Sequence, residues 1–184
     1  MIMKKLFVLL AVVAMAMMTT GCKDEKESTV SDDSYYNALA CTVRTAMSSV
    51  FNQNIAGTSN TAPDMDIAAP YGGTVHLSGT IDIGNDGQTR IDLTYAFDNV
   101  KWIWAYDDNS ASSEVYMTGT IHEVGTYRYS EQYMNVTTSS ENLKMTGTVN
   151  SGSASRTVDE FGKINLVSGW SNYDGVMYGF TVHS

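Results

Sequence analysis

The sequence predicts an α+β fold in which an N-terminal helix packs on a curved antiparallel sheet of about seven or eight strands. Two observations predict this fold: apolar residues at helical spacing in residues 34–54, and apolar and polar residues that alternate after residue 73. The chain also has no proline after Pro70, which permits uninterrupted strand pairing. Because one amphipathic helix cannot bury its apolar stripe alone, the sheet is its expected partner.

The predicted helix covers residues 34–54 and presents one apolar face. Asp33 or Ser34 suits the N-cap, and acidic residues there favour the positive end of the helix dipole. Gly57 is the predicted stop signal. The apolar stripe consists of Tyr36, Leu39, Ala40, Val43, Met47, Val50 and Phe51.

Alternation with period two predicts strands that bury one face and expose the other. Turn sequences such as Gly84-Asn85-Asp86-Gly87 separate them. Residues 55–73, which hold both prolines, are predicted to be a loop. A closed, calycin-like β-barrel is the alternative fold. The predicted strands are 75–83, 90–97, 115–123, 127–137, 143–150, 157–167 and 176–183.

A short pattern of Leu or Met, Ser or Thr, Gly, Thr and an aliphatic residue occurs in three of these strands. Its glycines are Gly79, Gly119 and Gly147. All three fall on the inward-facing parity, and glycine inside a strand marks bending or close backbone approach. We therefore expect the helix to cross the sheet over these glycines.

The first 21 residues differ in composition from the rest of the chain. Lys4 and Lys5 precede an uncharged, almost wholly apolar run, and small residues then precede Cys22. This order is typical of a secretory signal peptide, and the run is too short to be a transmembrane helix. Residues 1–21 are predicted to be removed by cleavage before Cys22.

The residues around the predicted cleavage site carry a family resemblance. Thr19-Thr20-Gly21-Cys22 resembles a bacterial lipobox, in which the cysteine becomes the lipidated mature N-terminus. The segment Lys23-Asp24-Glu25-Lys26-Glu27 resembles the acidic segment of surface-exported lipoproteins of the Bacteroidetes. The resemblance implies lipidation of Cys22 and a lipid-anchored protein of the outer membrane that is exposed at the cell surface. Residues 22–33 would then be a flexible tether.

Residues 34–184 are predicted to form a single helix-plus-antiparallel-sheet domain, which resembles uncharacterised bacterial lipoprotein domains rich in Thr and Gly strands. Loss of Lys4 and Lys5 with the leader lowers the formal net charge from −9 to −11. That acidity argues against a nucleic-acid partner, which needs clustered Lys and Arg, and against peripheral binding to anionic lipid. With Cys22 lipidated, Cys41 has no cysteine to pair with, and it is predicted to be a buried thiol.

The sequence offers no motif of an enzyme or a metal site. The three histidines, His76, His122 and His183, fall on the outward parity and are predicted to be exposed. The aspartate pairs of the predicted loops suit turn formation and lack the further ligands of a calcium loop. We expect neither catalytic residues nor metal ligands, and no cofactor. The pairs are Asp64 with Asp66 and Asp107 with Asp108.

Trp102, Trp104 and Tyr106 share one parity and are the candidate surface for a ligand or a partner. If the strand that begins at Arg90 continued without a break, they would face solvent, where aromatic rows stack on sugars or anchor partners. A bulge at Asp98-Asn99 would reverse the faces and place them in the core.

The leading predicted function is that of a non-catalytic, membrane-anchored envelope or cell-surface lipoprotein with a binding role. Its expected partner, beyond the membrane itself, is a glycan or an envelope protein, and the oligomeric state is left open. One alternative is a carrier that holds a small hydrophobic ligand in a barrel cavity. The other alternative is a hydrolase of envelope or dietary polymers, which needs converging carboxylates.

Overall fold

The protein is an α+β fold with one helix on an open antiparallel sheet of eight strands, seen in a computed structural model. The structure describes residues 29–55, 62–106 and 110–184. Each strand pairs with the next along the chain, in the order β1 to β8. The predicted fold class is therefore confirmed. The predicted signal peptide and Cys22 lie outside the described residues.

Helix α1 (Asp32–Asn54) begins two residues before the predicted start. The Ser31 hydroxyl accepts a hydrogen bond from the backbone N–H of Ser34, and this N-cap satisfies one of the free donors of the first turn. Every residue of the predicted apolar stripe is buried. Within the predicted tether of residues 22–33, Val30 is buried, and Asp32 and Asp33 belong to the helix.

The strands form a meander in which every neighbouring pair is antiparallel. Helix α1 packs against strands from both halves of this sheet, and their inward-facing aliphatic and aromatic residues share one core with its stripe. The strands are β1 (Asp64–Ala68), β2 (Thr74–Ile83), β3 (Thr89–Ala105), β4 (Ala111–Arg128), β5 (Tyr133–Ser151), β6 (Ala154–Ser168), β7 (Tyr173–Met177) and β8 (Phe180–His183).

The edge strands β1 and β8 do not pair with each other, so the described sheet is open and the alternative of a closed calycin-like barrel is wrong. The physical reason is the helix. Leu39, Val43 and Ala46 are fully buried on the side of the sheet where a barrel would hold its cavity. The apolar stripe of α1 fills that space, and closing the sheet around it would leave the helix no room.

Three strand predictions differ from the structure. Strand β1 lies within the predicted loop, and an edge position tolerates the flanking Pro63 because the proline lacks an N–H to donate. Predicted strands 127–137 and 143–150 belong largely to one long strand, β5, and predicted strand 176–183 covers most of the β7–β8 hairpin. The turn of that hairpin uses left-handed backbone at Tyr178 and Gly179, with φ of 51° and 91°.

The repeated glycines lie on the inward side, but the helix is not what crowds them. A Cβ at Gly119 would lie 2.5 Å from the Asn142 carbonyl oxygen, and one at Gly147 would lie 2.1 Å from that of Glu114. Both carbonyls belong to neighbouring strands, and both glycines have positive φ. The glycines therefore permit neighbouring strands to approach closely within the sheet. The prediction that they make room for the crossing helix is wrong.

Candidate ligand-binding groove

A bulge in β3 decides where the tryptophans lie. The register between β3 and β4 shifts between Phe97 and Val100, and Asn99 adopts left-handed backbone with φ of 50°. Before the bulge, odd-numbered residues such as Phe97 face inward, whereas after it Val100 and Trp102 are buried. The Asp98-Asn99 bulge thus reverses the faces of the strand, as a shift of one residue must.

The exposed fraction of the three candidate aromatic side chains increases from Trp102 through Trp104 to Tyr106. Trp102 is 6% exposed, and its indole N–H donates to Thr45 Oγ1 across 3.1 Å. Trp104 is partly buried against the core, and Tyr106 beyond the strand end is 48% exposed. Trp104 and Tyr106 meet edge to face with ring centroids 4.6 Å apart, so together they form an aromatic wall at the surface.

That wall borders an open groove of about 420 Å³, which we call the Trp104 groove. The opposite wall is the exposed side of α1, and the end of the groove is formed by the chain around β7. Most of its polar groups are hydroxyls, and its only charged side chain belongs to Arg44. The lining residues are Cys41, Arg44, Thr45, Ser48, Trp104, Ala105, Tyr106, Ser171, Tyr173 and Ser184.

A second groove of about 230 Å³, the Glu123 groove, adjoins the first and shares Arg44 and Ser48 with it. Two exposed aromatic side chains stand at its rim: Trp170 is 43% and Tyr129 is 49% exposed. Their rings meet edge to face at 6.0 Å. The remaining lining residues are Met47, Phe51, Asn52, Glu123, Tyr127 and Met134.

Arg44 lies where the two grooves meet, and its guanidinium is held in place by groups of the β6–β7 connection. Nε donates to Ser168 Oγ at 3.1 Å, and Nη2 donates to the carbonyl oxygen of Asn172 at 3.4 Å. The Cζ atom lies 4.7 Å from the centroid of the Tyr173 ring, which is a cation–π contact. Burial lowers the pKa of the Arg44 guanidinium because it removes water from the charged form.

Glu123 forms the inner wall of the second groove. The Tyr95 hydroxyl donates to Glu123 Oε2 at 2.8 Å. Burial raises the pKa of this carboxyl from 4.5 to about 7, and hydrogen bonds from Tyr95 and Tyr127 oppose part of that rise. Glu123 is therefore a carboxyl whose charge changes near neutral pH, at a position that a ligand in the groove would approach.

Cys41 is half-buried rather than fully buried, and it lies in the wall of the Trp104 groove. Its Sγ lies 3.4 Å from the Tyr173 hydroxyl oxygen. Burial raises the pKa of the Cys41 thiol, which reduces the fraction of reactive thiolate.

The histidines lie away from both grooves and are exposed, as the sequence predicts. His76 lies between Asp64 and Asp66, at 3.2 and 2.8 Å, and His122 Nε2 lies 2.7 Å from Asp92 Oδ1. Within the described ranges, no group of three or more His, Cys, Asp or Glu side chains has a geometry that would hold a metal ion. Asp107 and Asp108 lie outside these ranges.

Sequence reasoning missed Arg44, Glu123 and Trp170. Glu123 carried a usable signal, since period two from Val115 places this carboxyl on the inward side of β4. A charged residue at an inward position needs a partner or a function. Arg44 lay off the apolar stripe and looked like an ordinary exposed residue, and Trp170 follows β6 in a stretch without periodicity.

No protein-family model, no curated protein and no solved structure matches this chain. In the part of the chain that the structure describes, no helix is both long enough and apolar enough to span a membrane.

Proposed function

We propose that this protein is a lipid-anchored lipoprotein of the outer membrane, exposed at the cell surface, whose folded domain binds a saccharide in the two adjoining grooves. The role is binding rather than catalysis. The observation that carries the proposal is the pairing of Trp104 and Tyr106 on one side of Arg44 with Trp170 and Tyr129 on the other.

The chemistry of the grooves suits a sugar. Aromatic rings offer flat apolar faces to the C–H side of a pyranose, while their edges and polar tips stay hydrated. Ser48 and Ser171 supply hydroxyls to the lining of the Trp104 groove, and hydroxyls both donate and accept hydrogen bonds. The lining residues include one side-chain carboxyl, Glu123, whereas glycoside hydrolysis generally uses two that flank the scissile bond. This composition favours binding over hydrolysis.

A glycan array probed with the intact protein tests the binding role. We expect Tyr106→Ala and Trp170→Ala to weaken retention of the bound saccharides by about tenfold or more, since stacking on an aromatic ring contributes about 1–3 kcal/mol to binding in comparable sites. Tyr116→Ala is the matched control, because Tyr116 is similarly exposed but lies outside both grooves. Circular dichroism verifies that each variant is folded.

Two results would overturn the binding role. The first is an array on which the intact, folded protein retains no saccharide. The second is an equal loss of retention in Tyr106→Ala and Tyr116→Ala, which would show that the grooves are not where the saccharide binds.

Lipid anchoring rests on the signal-peptide pattern and on Cys22, and it is tested separately. We expect the wild-type protein to incorporate labelled palmitate and to partition into detergent, because two or more acyl chains hold a protein stably to a bilayer. Cys22→Ser removes the acceptor thiol and should abolish both, whereas Cys41→Ser should change neither. Palmitate incorporation that persists in Cys22→Ser would contradict the anchor.

A further inference from the structure

Arg44 differs from every other arginine that the structure describes. Arg90, Arg128 and Arg156 each have a carboxylate oxygen within salt-bridge distance, the closest at 2.8, 2.7 and 2.6 Å respectively. For Arg44 no such partner is found among residues 29–55, 62–106 and 110–184. The chain has 20 acidic residues against 11 basic ones, so a single arginine without a carboxylate is unusual in it.

The Arg44 guanidinium is also partly buried, and for a partly buried cation the absence of a counter-ion is energetically unfavourable. Removing a charge from water is unfavourable, and the loss is offset only by a partner of opposite charge or by several hydrogen bonds. Arg44 has Ser168 Oγ, the Asn172 carbonyl oxygen and the Tyr173 ring, all of them uncharged. An anion that enters the groove would find a cation that is already partly desolvated.

The contacts of Arg44 fix the plane of its guanidinium and leave one nitrogen uncommitted. Nε and Nη2 are used by Ser168 and Asn172, and Nη1 makes no hydrogen bond within the described chain. Arginine binds carboxylate and sulfate oxygens through its fork of N–H groups, and such charge-assisted bonds are stronger than neutral ones. The pre-set orientation reduces the rotamer entropy that a ligand would otherwise have to restrict.

We propose that Arg44 is an anion subsite and that the saccharide bound in these grooves is acidic, carrying a carboxylate or a sulfate that contacts Nη1. The proposal rests on the saccharide-binding function proposed above and names its ligand class. Aromatic rings on both sides of Arg44 place the anionic group at the junction, with a sugar ring stacked in each groove.

The test is an array on which each backbone is present in neutral, carboxylated and sulfated form, such as galactose with galacturonate and with galactose sulfate. The intact wild-type protein should retain an acidic form about tenfold or more better than its neutral counterpart, the effect of one charge-assisted bond. Arg44→Gln should bring the acidic-to-neutral ratio close to one. Lys144→Gln removes the same charge from the other described cation without a carboxylate partner, and it should leave the ratio unchanged.

A second measurement keeps the inference testable if Arg44→Gln does not fold. In the wild-type protein, the preference for the acidic form should weaken as sodium chloride is raised, because salt screens a partly exposed charge pair. Equal retention of neutral and acidic forms, or a preference that survives in folded Arg44→Gln, would overturn the anion subsite. Either result leaves saccharide binding intact, whereas retention of no saccharide at all overturns the binding role itself.

Discussion

The two grooves that meet at Arg44 are built from different kinds of group. The Trp104 groove is wide and has hydroxyls and aromatic rings, with Arg44 as its only charged side chain. The Glu123 groove is smaller and ends on a buried carboxyl with a pKa of about 7. The first groove therefore keeps its charge across the physiological pH range, and the second changes its charge within that range.

The difference follows from how each groove is made. The Trp104 groove depends on the bulge at Asn99, which puts Trp104 on the same side of β3 as Trp102, where it lines the groove together with α1. The Glu123 groove depends on inward-facing residues of an uninterrupted part of β4, where Tyr95 and Tyr127 surround the carboxyl. One groove is thus a product of a backbone irregularity, and the other of a polar residue placed in a core position.

Inserting one alanine between Val100 and Lys101 should have the largest effect. Residues after the insertion change sides, so that Lys101 and Ile103 point into the core and Trp102 points to solvent. We expect a loss of more than about 5 kcal/mol, enough to unfold a domain of this size, as measured by thermal or urea denaturation.

Asn99→Gly is the matched control for the insertion. It leaves the number of residues in β3 unchanged and suits the left-handed φ of 50°, so the stability of the domain should change by less than about 1 kcal/mol. An insertion variant as stable as this control would show that the residue count between the bulge and Trp102 does not set the faces of β3.

Alanine substitutions of Trp102 and Trp104 should separate effects on stability from effects on saccharide binding. Trp102→Ala removes a buried ring and leaves Thr45 without the indole donor, so we expect a loss of about 3–5 kcal/mol in urea denaturation. Trp104→Ala removes a partly exposed ring and should cost about 1–2 kcal/mol while weakening saccharide binding about tenfold. Equal losses of stability in the two variants would contradict the assignment of Trp104 to the groove.

Periodicity in the sequence predicted most of the fold because it reports directly on which side chains face the core. The apolar stripe of α1 and the alternation in β2, β3 and β4 were sufficient to predict the helix and the antiparallel sheet. They also predicted the effect that a bulge at Asp98-Asn99 would have on the faces of β3. Strand β1 was missed because it is short, exposed on both faces and flanked by prolines, so it shows no alternation of burial. The β7–β8 turn was missed because Tyr178 adopts a backbone conformation that is rare for tyrosine.

The grooves were harder to predict than the fold, since they join residues that are distant in the sequence. Arg44 and Trp170 meet only because the β6–β7 connection passes beside α1, and no local pattern reports that approach. Cys41 was predicted to be buried because its neighbours on the helix are apolar, yet the bulge in β3 opens a groove next to it. Glu123 alone carried a signal in its parity.

Glu123 should make the stability of the domain depend on pH. The folded-state pKa of about 7 lies above the ordinary 4.5, so the folded protein holds the proton longer than the unfolded chain. The contribution of the Glu123 carboxyl to the stability of the domain is fully present below about pH 4.5, and it is lost as the pH rises from there through about 7. Relative to Glu123→Gln, which does not titrate, the wild-type protein should lose up to about 3 kcal/mol between those values.

Urea denaturation of both proteins at a series of pH values measures this difference. Asp92→Asn, at an exposed carboxyl of the opposite face, controls for the removal of one negative charge. Curves for wild type and Glu123→Gln that run parallel from pH 4 to pH 8 would show that Glu123 has the same pKa in the folded and unfolded protein, so that the second groove is negatively charged at neutral pH.

The smallest effect is expected on the outer face of the sheet. His122→Ala removes a contact with Asp92 in which both side chains are well exposed, so stability should change by less than about 0.5 kcal/mol. Saccharide retention should be unchanged, because neither groove includes His122. A clear loss of retention in this variant would move the binding surface to the outer face.

The most direct test of the grooves as a saccharide site uses the indole N–H signals of the three tryptophans in a ¹H–¹⁵N NMR spectrum of the intact protein. The titrant is the acidic oligosaccharide most strongly retained on the array. The signals of Trp104 and Trp170 should shift together with increasing oligosaccharide, while Trp102, whose N–H is bonded to Thr45, should shift far less. Signals of Trp104 and Trp170 that stay in place at saturation would contradict binding in the grooves.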